Sequence, residues 1–103
     1  MKLEDMPETF EVVLTEAHVL GSGKGCFRCP VALAVGAALE RLGVEGLEPQ
    51  AVSVGDRINI YGGRAAGMRS YKIPAAVAAM IRSFDRGNGM QPVTFDALLS
   101  RHY

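Results

Sequence analysis

Hydrophobic and polar residues alternate along several short stretches of the chain, as they do in β-strands with one buried face. The alternation over Thr9–Thr15 predicts the first strand, and the same pattern over Arg57–Tyr61 predicts another. Ala51–Val54 is predicted to form a hairpin with the second of these, because only a short turn separates the two. Met68–Ile73 and Pro92–Leu99 are the remaining predicted strands. The short turns between consecutive strands favour antiparallel pairing.

Apolar residues recur at intervals of three and four residues in two longer stretches, which predicts two helices. The first is predicted to begin at Pro30, since a proline at the first helical position lacks an N–H that would be unpaired there anyway. Gly43 is placed to end this helix in a left-handed conformation. The second helix is predicted to run from Pro74 to a cap at Gly87, and Thr15 to cap one short helical turn. The apolar stripes consist of Val31, Val35, Ala38, Leu39 and Leu42 in the first helix and of Val77, Met80, Ile81 and Phe84 in the second.

The predicted element order is β-α-β-β-β-α-β, which is typical of an α+β domain. We expect two helices packed on one face of a mostly antiparallel sheet of four to five strands. A chain of 103 residues has the length of one domain, so residues 1–103 are predicted to form a single unit. Within it, residues 1–8 are expected to be a loose N-terminal segment and Val44–Pro49 a loop. The other face of the sheet is expected to be solvated or to form an oligomer interface, and the apolar content favours a homo-oligomer.

Composition and charge exclude several classes of protein. The chain is 49% hydrophobic and 21% charged with a net charge of zero, which argues against disorder and against a general nucleic-acid-coating protein. No apolar run reaches the roughly 20 residues that span a membrane, and the acidic N-terminus does not resemble a signal peptide. We therefore expect a cytoplasmic protein with no membrane partner. The stretch from Arg57 to Arg82 nevertheless contains basic residues and no acidic one, so a locally positive surface is expected.

The segment from Gly21 to Pro30 concentrates unusual residues directly before the first predicted helix. It contains both cysteines, three glycines, and the cations Lys24 and Arg28 without an acidic residue. Backbone N–H groups at Gly23 and Gly25, together with these cations, are typical of a site for an anion such as phosphate. The spacing matches neither the Walker loop nor the dinucleotide fingerprint.

A second glycine-rich segment, Gly62–Gly67, contains Arg64 and leads to Arg69 and to an aromatic residue, Tyr71. Two basic glycine-rich loops could converge on one anionic ligand, with Tyr61 or Tyr71 stacked on a base. The residues predicted to bind this ligand, most plausibly a nucleotide, are Gly23, Lys24, Gly25, Arg28, Arg64, Arg69 and Tyr71. The alternative interpretation is that both segments are ordinary turns whose glycines permit positive φ.

Cys26 and Cys29 form a C-x-x-C motif that admits other interpretations. A redox role is disfavoured, because the predicted strand order does not fit a thioredoxin-like fold. A zinc site would need both cysteines with His18 and a carboxylate or His102. Cys29 could equally be a small buried hydrophobic residue. No catalytic constellation is recognisable, so we expect a protein that is not an enzyme and needs no cofactor.

Several motifs resemble those of a family of short uncharacterised bacteriophage proteins. Thr15–Val19 and Gly25–Ala34 are similar to that family's T-E-x-H-I/V segment and C-x-x-C-P-x-A-L-A helix start. Ile73–Gly87 and Pro92–Asp96 are similar to its L-P…F-I-x-x-F-D-x-G…P-F-S-F-E ending. The resemblance covers most of the chain and brings no catalytic residues. It implies a small binding protein that acts in the host cell.

Two roles follow from this resemblance. The favoured hypothesis is that the protein sequesters an anionic small molecule, most plausibly a nucleotide signal of host defence. The alternative is a module that inhibits or adapts a host protein through the basic stretch. A Cys/His zinc domain is the second alternative.

Overall fold

The computed structural model describes residues 6–23, 28–44, 56–62 and 67–100, and the backbone of residues 48–52. Five strands and three helices occur in this part of the chain, in the order β-α-α-β-β-β-α-β. They are β1 (Thr9–Leu14), α1 (Glu16–Leu20), α2 (Pro30–Arg41), β2 (Glu48–Val52), β3 (Arg57–Tyr61), β4 (Met68–Lys72), α3 (Ala75–Asp85) and β5 (Val93–Leu99).

The five strands form one antiparallel sheet in the order β1-β5-β4-β3-β2. Strands β2, β3 and β4 form a meander, whereas β5 returns to lie between β4 and β1. This confirms the α+β class and the predicted antiparallel sheet. The predicted short turn after Thr15 is also present, as helix α1.

One face of the sheet is buried beneath the helices, and we call it the inner face. In β1 it carries Phe10, Val12 and Leu14, which are at most 6% exposed. Because residues opposite each other in antiparallel strands share a face, Phe95 and Ala97 of β5 join them. Side chains of α2 and α3 complete a single hydrophobic core with this face. The burial pattern thus follows the alternation seen in the sequence.

The remaining strand residues define the outer face of the sheet, which no element among the described residues covers. It carries a mixture of charged, polar and apolar side chains, several of them exposed. The described outer-face residues are Thr9, Glu11, Val13, Arg57, Asn59, Tyr61, Met68, Ser70, Lys72, Thr94, Asp96 and Leu98.

Helix α2 begins and ends where the sequence predicts. Pro30 is its first residue, with Cys29 as the N-cap. At its end Gly43 adopts φ 76° and donates its N–H to the carbonyl of Glu40 at 3.0 Å. Val44 donates to the carbonyl of Leu39 at 2.9 Å, which completes a Schellman motif. The glycine is required there because a left-handed residue closes the motif.

Strand β2 begins earlier than the sequence predicts. Glu48 and Pro49 pair with Tyr61 and Ile60, so the predicted loop over Val44–Pro49 is wrong at its end. A proline discourages a strand assignment because it cannot donate to a ladder. Here β2 is an edge strand with one neighbour only, where a missing N–H can be tolerated.

Residues 6–8 are anchored, so the predicted loose segment is wrong for this part of it. Met6 is 4% exposed and belongs to the core. The carbonyl of Pro7 accepts the Tyr71 hydroxyl at 2.6 Å, and the carbonyl of Glu8 accepts the N–H of Leu99 at 2.6 Å. The chain is therefore fastened to β4 and β5 before β1 begins.

Candidate functional site

The segment before α2 is closed by a backbone hydrogen bond between its two ends. The N–H of Gly23 donates to the carbonyl of Arg28 at 2.9 Å, and Arg28 is exposed. The predicted ligand-binding residues Lys24 and Gly25 lie between these two positions, outside the described residues. The closure brings the flanks of this short basic segment together at the start of a 12-residue helix.

The start of α2 directly follows the segment that the sequence predicts to bind an anion. Its first turn contains no acidic residue. Cys29 is 1% exposed, and its Sγ accepts the N–H of Ala32 at 3.5 Å. Cys29 therefore serves as both a buried apolar side chain and a helix cap, which agrees with the interpretation of this residue as a small hydrophobe. The positive end of the helix dipole faces the segment that contains Arg28.

Arg69 lies on the inner face of β4, where it contacts the N-terminal segment. Its Nη1 donates to the carbonyl of Met6 at 3.3 Å, and the side chain is half-buried. The guanidinium thus helps to fasten residues 6–8.

Tyr71 does not have the exposure that the predicted stacking role requires. Its side chain is fully buried, its hydroxyl donates to Pro7, and its ring meets Phe10 edge-on with centroids 4.9 Å apart. Burial raises the pKa of the hydroxyl above its ordinary value, and the charge of Arg69 partly offsets this rise. The stacking prediction for Tyr71 is therefore corrected: the ring is part of the core.

The second glycine-rich segment is also closed at its ends, since the N–H of Gly62 donates to the carbonyl of Gly67 at 3.0 Å. Arg64 lies outside the described residues. This segment follows Tyr61, which pairs with Glu48 at the start of β2. Helix α2 contacts both β1 and β2 and leads into β2 at its C-terminal end.

The connectivity of α2 favours two separate basic regions over one converged site. Gly23 and Arg28 precede its N-terminus, whereas Gly62 and Gly67 lie beside the strand that follows its C-terminus. A helix of 12 residues is about 18 Å long.

His18 has a structural role that the sequence did not indicate. Its Nδ1 accepts the backbone N–H of Thr15 at 3.0 Å, and the Thr15 side chain in turn accepts the N–H of His18. This is a capping box in which histidine replaces the usual glutamate or glutamine. The T-E-x-H segment thus encodes the start of a helix.

The zinc interpretation gains no support from the part of the chain that the structure describes. No group of three or more His, Cys, Asp or Glu residues within it is arranged to hold a metal ion. The His18 side chain takes part in the capping box of α1, and Cys29 is the N-cap of α2. Cys26 and His102 lie outside the described residues.

A shallow groove of about 390 Å³ lies between α1 and α2. Gly36 and Ala37 are half-buried and form part of the groove, with His18 and Glu40 as its polar residues. The spacing of small residues on the side of α2 away from its apolar stripe is the signal that could have predicted it.

Comparison with protein-family models, curated proteins and solved structures found no match to this chain. The resemblance to phage proteins therefore stays a prediction. In the described part of the chain, no helix is both long enough and apolar enough to cross a membrane.

Proposed function

We propose that the protein binds an anionic small molecule, most plausibly a nucleotide, without chemically changing it. The binding region is the segment before α2, formed by Gly23, Lys24, Gly25 and Arg28. In keeping with the resemblance to phage proteins, the ligand would be a nucleotide signal of host defence, and binding would remove that signal from the host cell.

The observation that carries this proposal is the closure of the segment by the Gly23–Arg28 hydrogen bond. A closed loop loses less conformational freedom when it takes up a ligand than an open one does. It also keeps the exposed Arg28 just before the N-terminus of α2, where the helix dipole favours negative charge.

Each residue has a distinct role in the proposed complex. Arg28 offers a planar fork of N–H donors that fits a phosphate in two places, and Lys24 adds a point charge. Gly23 lets the ligand approach the backbone. A methyl group at Gly23 would lie 3.7 Å from Cβ and 3.8 Å from Cδ of Arg28, which are ordinary contact distances. The fold therefore tolerates Gly23→Ala, whereas a ligand seated against this backbone would be displaced.

Isothermal titration calorimetry with ATP, a cyclic dinucleotide and inorganic phosphate tests the proposal. We expect at least one nucleotide to bind, and Lys24→Ala and Arg28→Ala each to weaken binding about tenfold or more, because each removes a charge-assisted contact. Gly23→Ala should weaken binding while the melting temperature stays near that of the parent. The recovered nucleotide should be intact.

Arg41→Ala is the matched control, since Arg41 is an exposed arginine at the other end of the same helix. It should leave affinity unchanged. If Lys24→Ala and Arg28→Ala bind each nucleotide as tightly as the parent, or if no nucleotide or phosphate binds, the proposed site is wrong. If inorganic phosphate binds as tightly as the nucleotides, the site recognises the anion and not the nucleoside.

A further inference from the structure

The outer face of the sheet carries two pairs of like charges on neighbouring strands. Glu11 of β1 lies directly opposite Asp96 of β5, and we call these two residues the acidic pair. Arg57 of β3 lies directly opposite Lys72 of β4, and these form the basic pair. All four side chains are exposed. Like charges directly opposite each other destabilise a sheet, so each pair costs the isolated protein stability.

The two pairs lie side by side with an exposed leucine between them. Leu98 is 53% exposed, follows Asp96 by two positions on β5, and lies opposite Lys72. Strand residues two apart point to the same side of the sheet, so Leu98 shares the outer face with both pairs. Within the residues that the structure describes, none of the four charges forms an ion pair.

We propose that the outer face binds a second copy of this chain, forming a two-fold symmetric dimer. The symmetry axis lies in the plane between the two sheets and passes over Leu98. It is perpendicular to the line that joins the acidic pair to the basic pair. Rotation about this axis places the acidic pair of one protomer on the basic pair of the other, and the reverse. Each charge then gains an opposite charge from the partner beside its like-charged neighbour on the same sheet, and the two Leu98 side chains meet near the axis.

A second copy fits this surface better than a partner of one charge. An acidic partner would satisfy the basic pair and repel the acidic pair, and a basic partner would do the opposite. A two-fold interface uses the same patch on both subunits, so the patch must be complementary to itself. An acidic half beside a basic half, with an apolar residue at the boundary, meets that requirement.

Two polar residues on the outer face, Ser70 and Asn59, are already hydrogen-bonded to each other. Ser70 is 1% exposed, and its hydroxyl donates to the side-chain carbonyl of Asn59 on the neighbouring strand. Covering the Ser70 hydroxyl and the Asn59 carbonyl therefore leaves neither of these two groups without a partner. Met68, 41% exposed, adds apolar surface on the same face. Two sheets packed face to face at about 10 Å bring such side chains into contact.

Sedimentation equilibrium at micromolar protein concentration and low salt tests the proposal. The parent should form a dimer that weakens as salt screens the charges. Asp96→Lys and Lys72→Glu should each give monomers, because each replaces two attractive contacts in the dimer with two repulsive ones. Mixing these two variants should restore a dimer, since the reversed charges then face each other across the interface.

Asp85→Lys and Arg41→Glu are the matched controls. They make the same kinds of charge change at exposed positions on α3 and α2, away from the sheet, and should leave the dimer intact. Circular dichroism melts check that each variant is folded.

Three outcomes would overturn the proposal. The first is a parent that stays monomeric throughout the micromolar range at low salt. The second is a dimer that neither outer-face variant weakens, which would indicate pairing through the edge strands β1 or β2 or through another surface. The third is that both variants are monomeric but their mixture does not associate, because the two pairs would then not meet across the interface.

Discussion

The inner and outer faces of the sheet are built from alternate residues of the same strands, yet they follow different rules. The inner face joins one core with α2 and α3, and its few polar groups are bonded to the N-terminal segment. The outer face places like charges opposite each other and leaves Leu98 exposed. Like-charge pairs lower the stability of the single chain. They are easier to explain if each charge meets an opposite charge in an assembly. The inner face thus specifies the fold, and we infer that the outer face specifies a partner.

The largest expected contrast is between two leucines truncated in the same way. Leu14→Ala on the inner face should lower the free energy of unfolding by about 3 kcal/mol, because Leu14 is 1% exposed and its removal leaves a cavity in the core. Leu98→Ala on the outer face should change it by about 0.5 kcal/mol or less in the monomer, where the side chain is half exposed. Urea unfolding at low protein concentration measures both.

The effects of the same two variants on dimerisation should have the opposite order, with the larger loss in Leu98→Ala. Leu14→Ala leaves the outer face intact, so its folded fraction should still dimerise. Leu98→Ala removes the apolar contact near the proposed axis, so on dilution its dimer should dissociate at a higher protein concentration than the parent dimer. Equal losses of unfolding free energy in the two variants would contradict the division between the faces.

Tyr71→Phe tests the polar anchor of the inner face. The substitution removes the hydrogen bond to Pro7 and should cost about 1 kcal/mol near neutral pH. It should also change how the free energy of unfolding depends on pH in the alkaline range. The unfolded tyrosine loses its proton near pH 10, whereas burial raises the pKa of Tyr71 in the folded chain. Stability from this residue is therefore complete below about pH 10 and falls as the pH rises toward the folded pKa.

In Tyr71→Phe this alkaline loss should be reduced, as measured by urea unfolding between about pH 8 and 11. Phe10→Leu is the control, because it alters the ring that packs on Tyr71 without removing the hydroxyl. It should lower stability at neutral pH and keep the alkaline decline. An unchanged decline in Tyr71→Phe would show that the hydroxyl does not contribute to it.

A small gain in stability is expected from Glu11→Lys on the outer face. It turns a like-charged cross-strand pair into an opposite one, so the isolated monomer should gain about 0.5 kcal/mol. The same change removes one acidic contact from the proposed interface, so dimerisation should weaken. A gain in monomer stability with a loss of association would separate the two roles of this face. Association that becomes stronger would argue against the dimer geometry.

Much of the fold could be predicted because hydrophobic spacing specifies it directly. The bounds of β3 match the predicted strand, and α2 starts at Pro30 as predicted. The start of β2 could not be predicted because it contains Pro49. A strand accepts a proline more easily when the strand lies at the edge of the sheet. That position is a property of the whole sheet. Residues 6–8 were missed for a similar reason, since their partners lie on β4 and β5.

Less of the candidate site could be predicted, for two physical reasons. Tyr71 was assigned to a ligand because its neighbours Arg69 and Lys72 are basic. Its spacing of two from Ile73 already placed it on the buried side, and this alternation was the better signal. Glu11 and Asp96 lie opposite each other because of the register between β1 and β5. These strands are far apart in the chain, and local sequence patterns do not determine their register.

The pairing of β1 with β5 has a consequence for how the chain folds. The meander β2–β4 is made within about 25 residues, whereas Leu14 must find Val93 across about 80 residues of intervening chain. Closing a long loop costs more entropy than closing a short one, and distant contacts slow folding. During synthesis β1 leaves the ribosome early. Its apolar side chains then stay without their neighbouring strand until β5, the last element, has been translated. The meander is free to form in the meantime, and the capture of β5 between β4 and β1 completes the sheet.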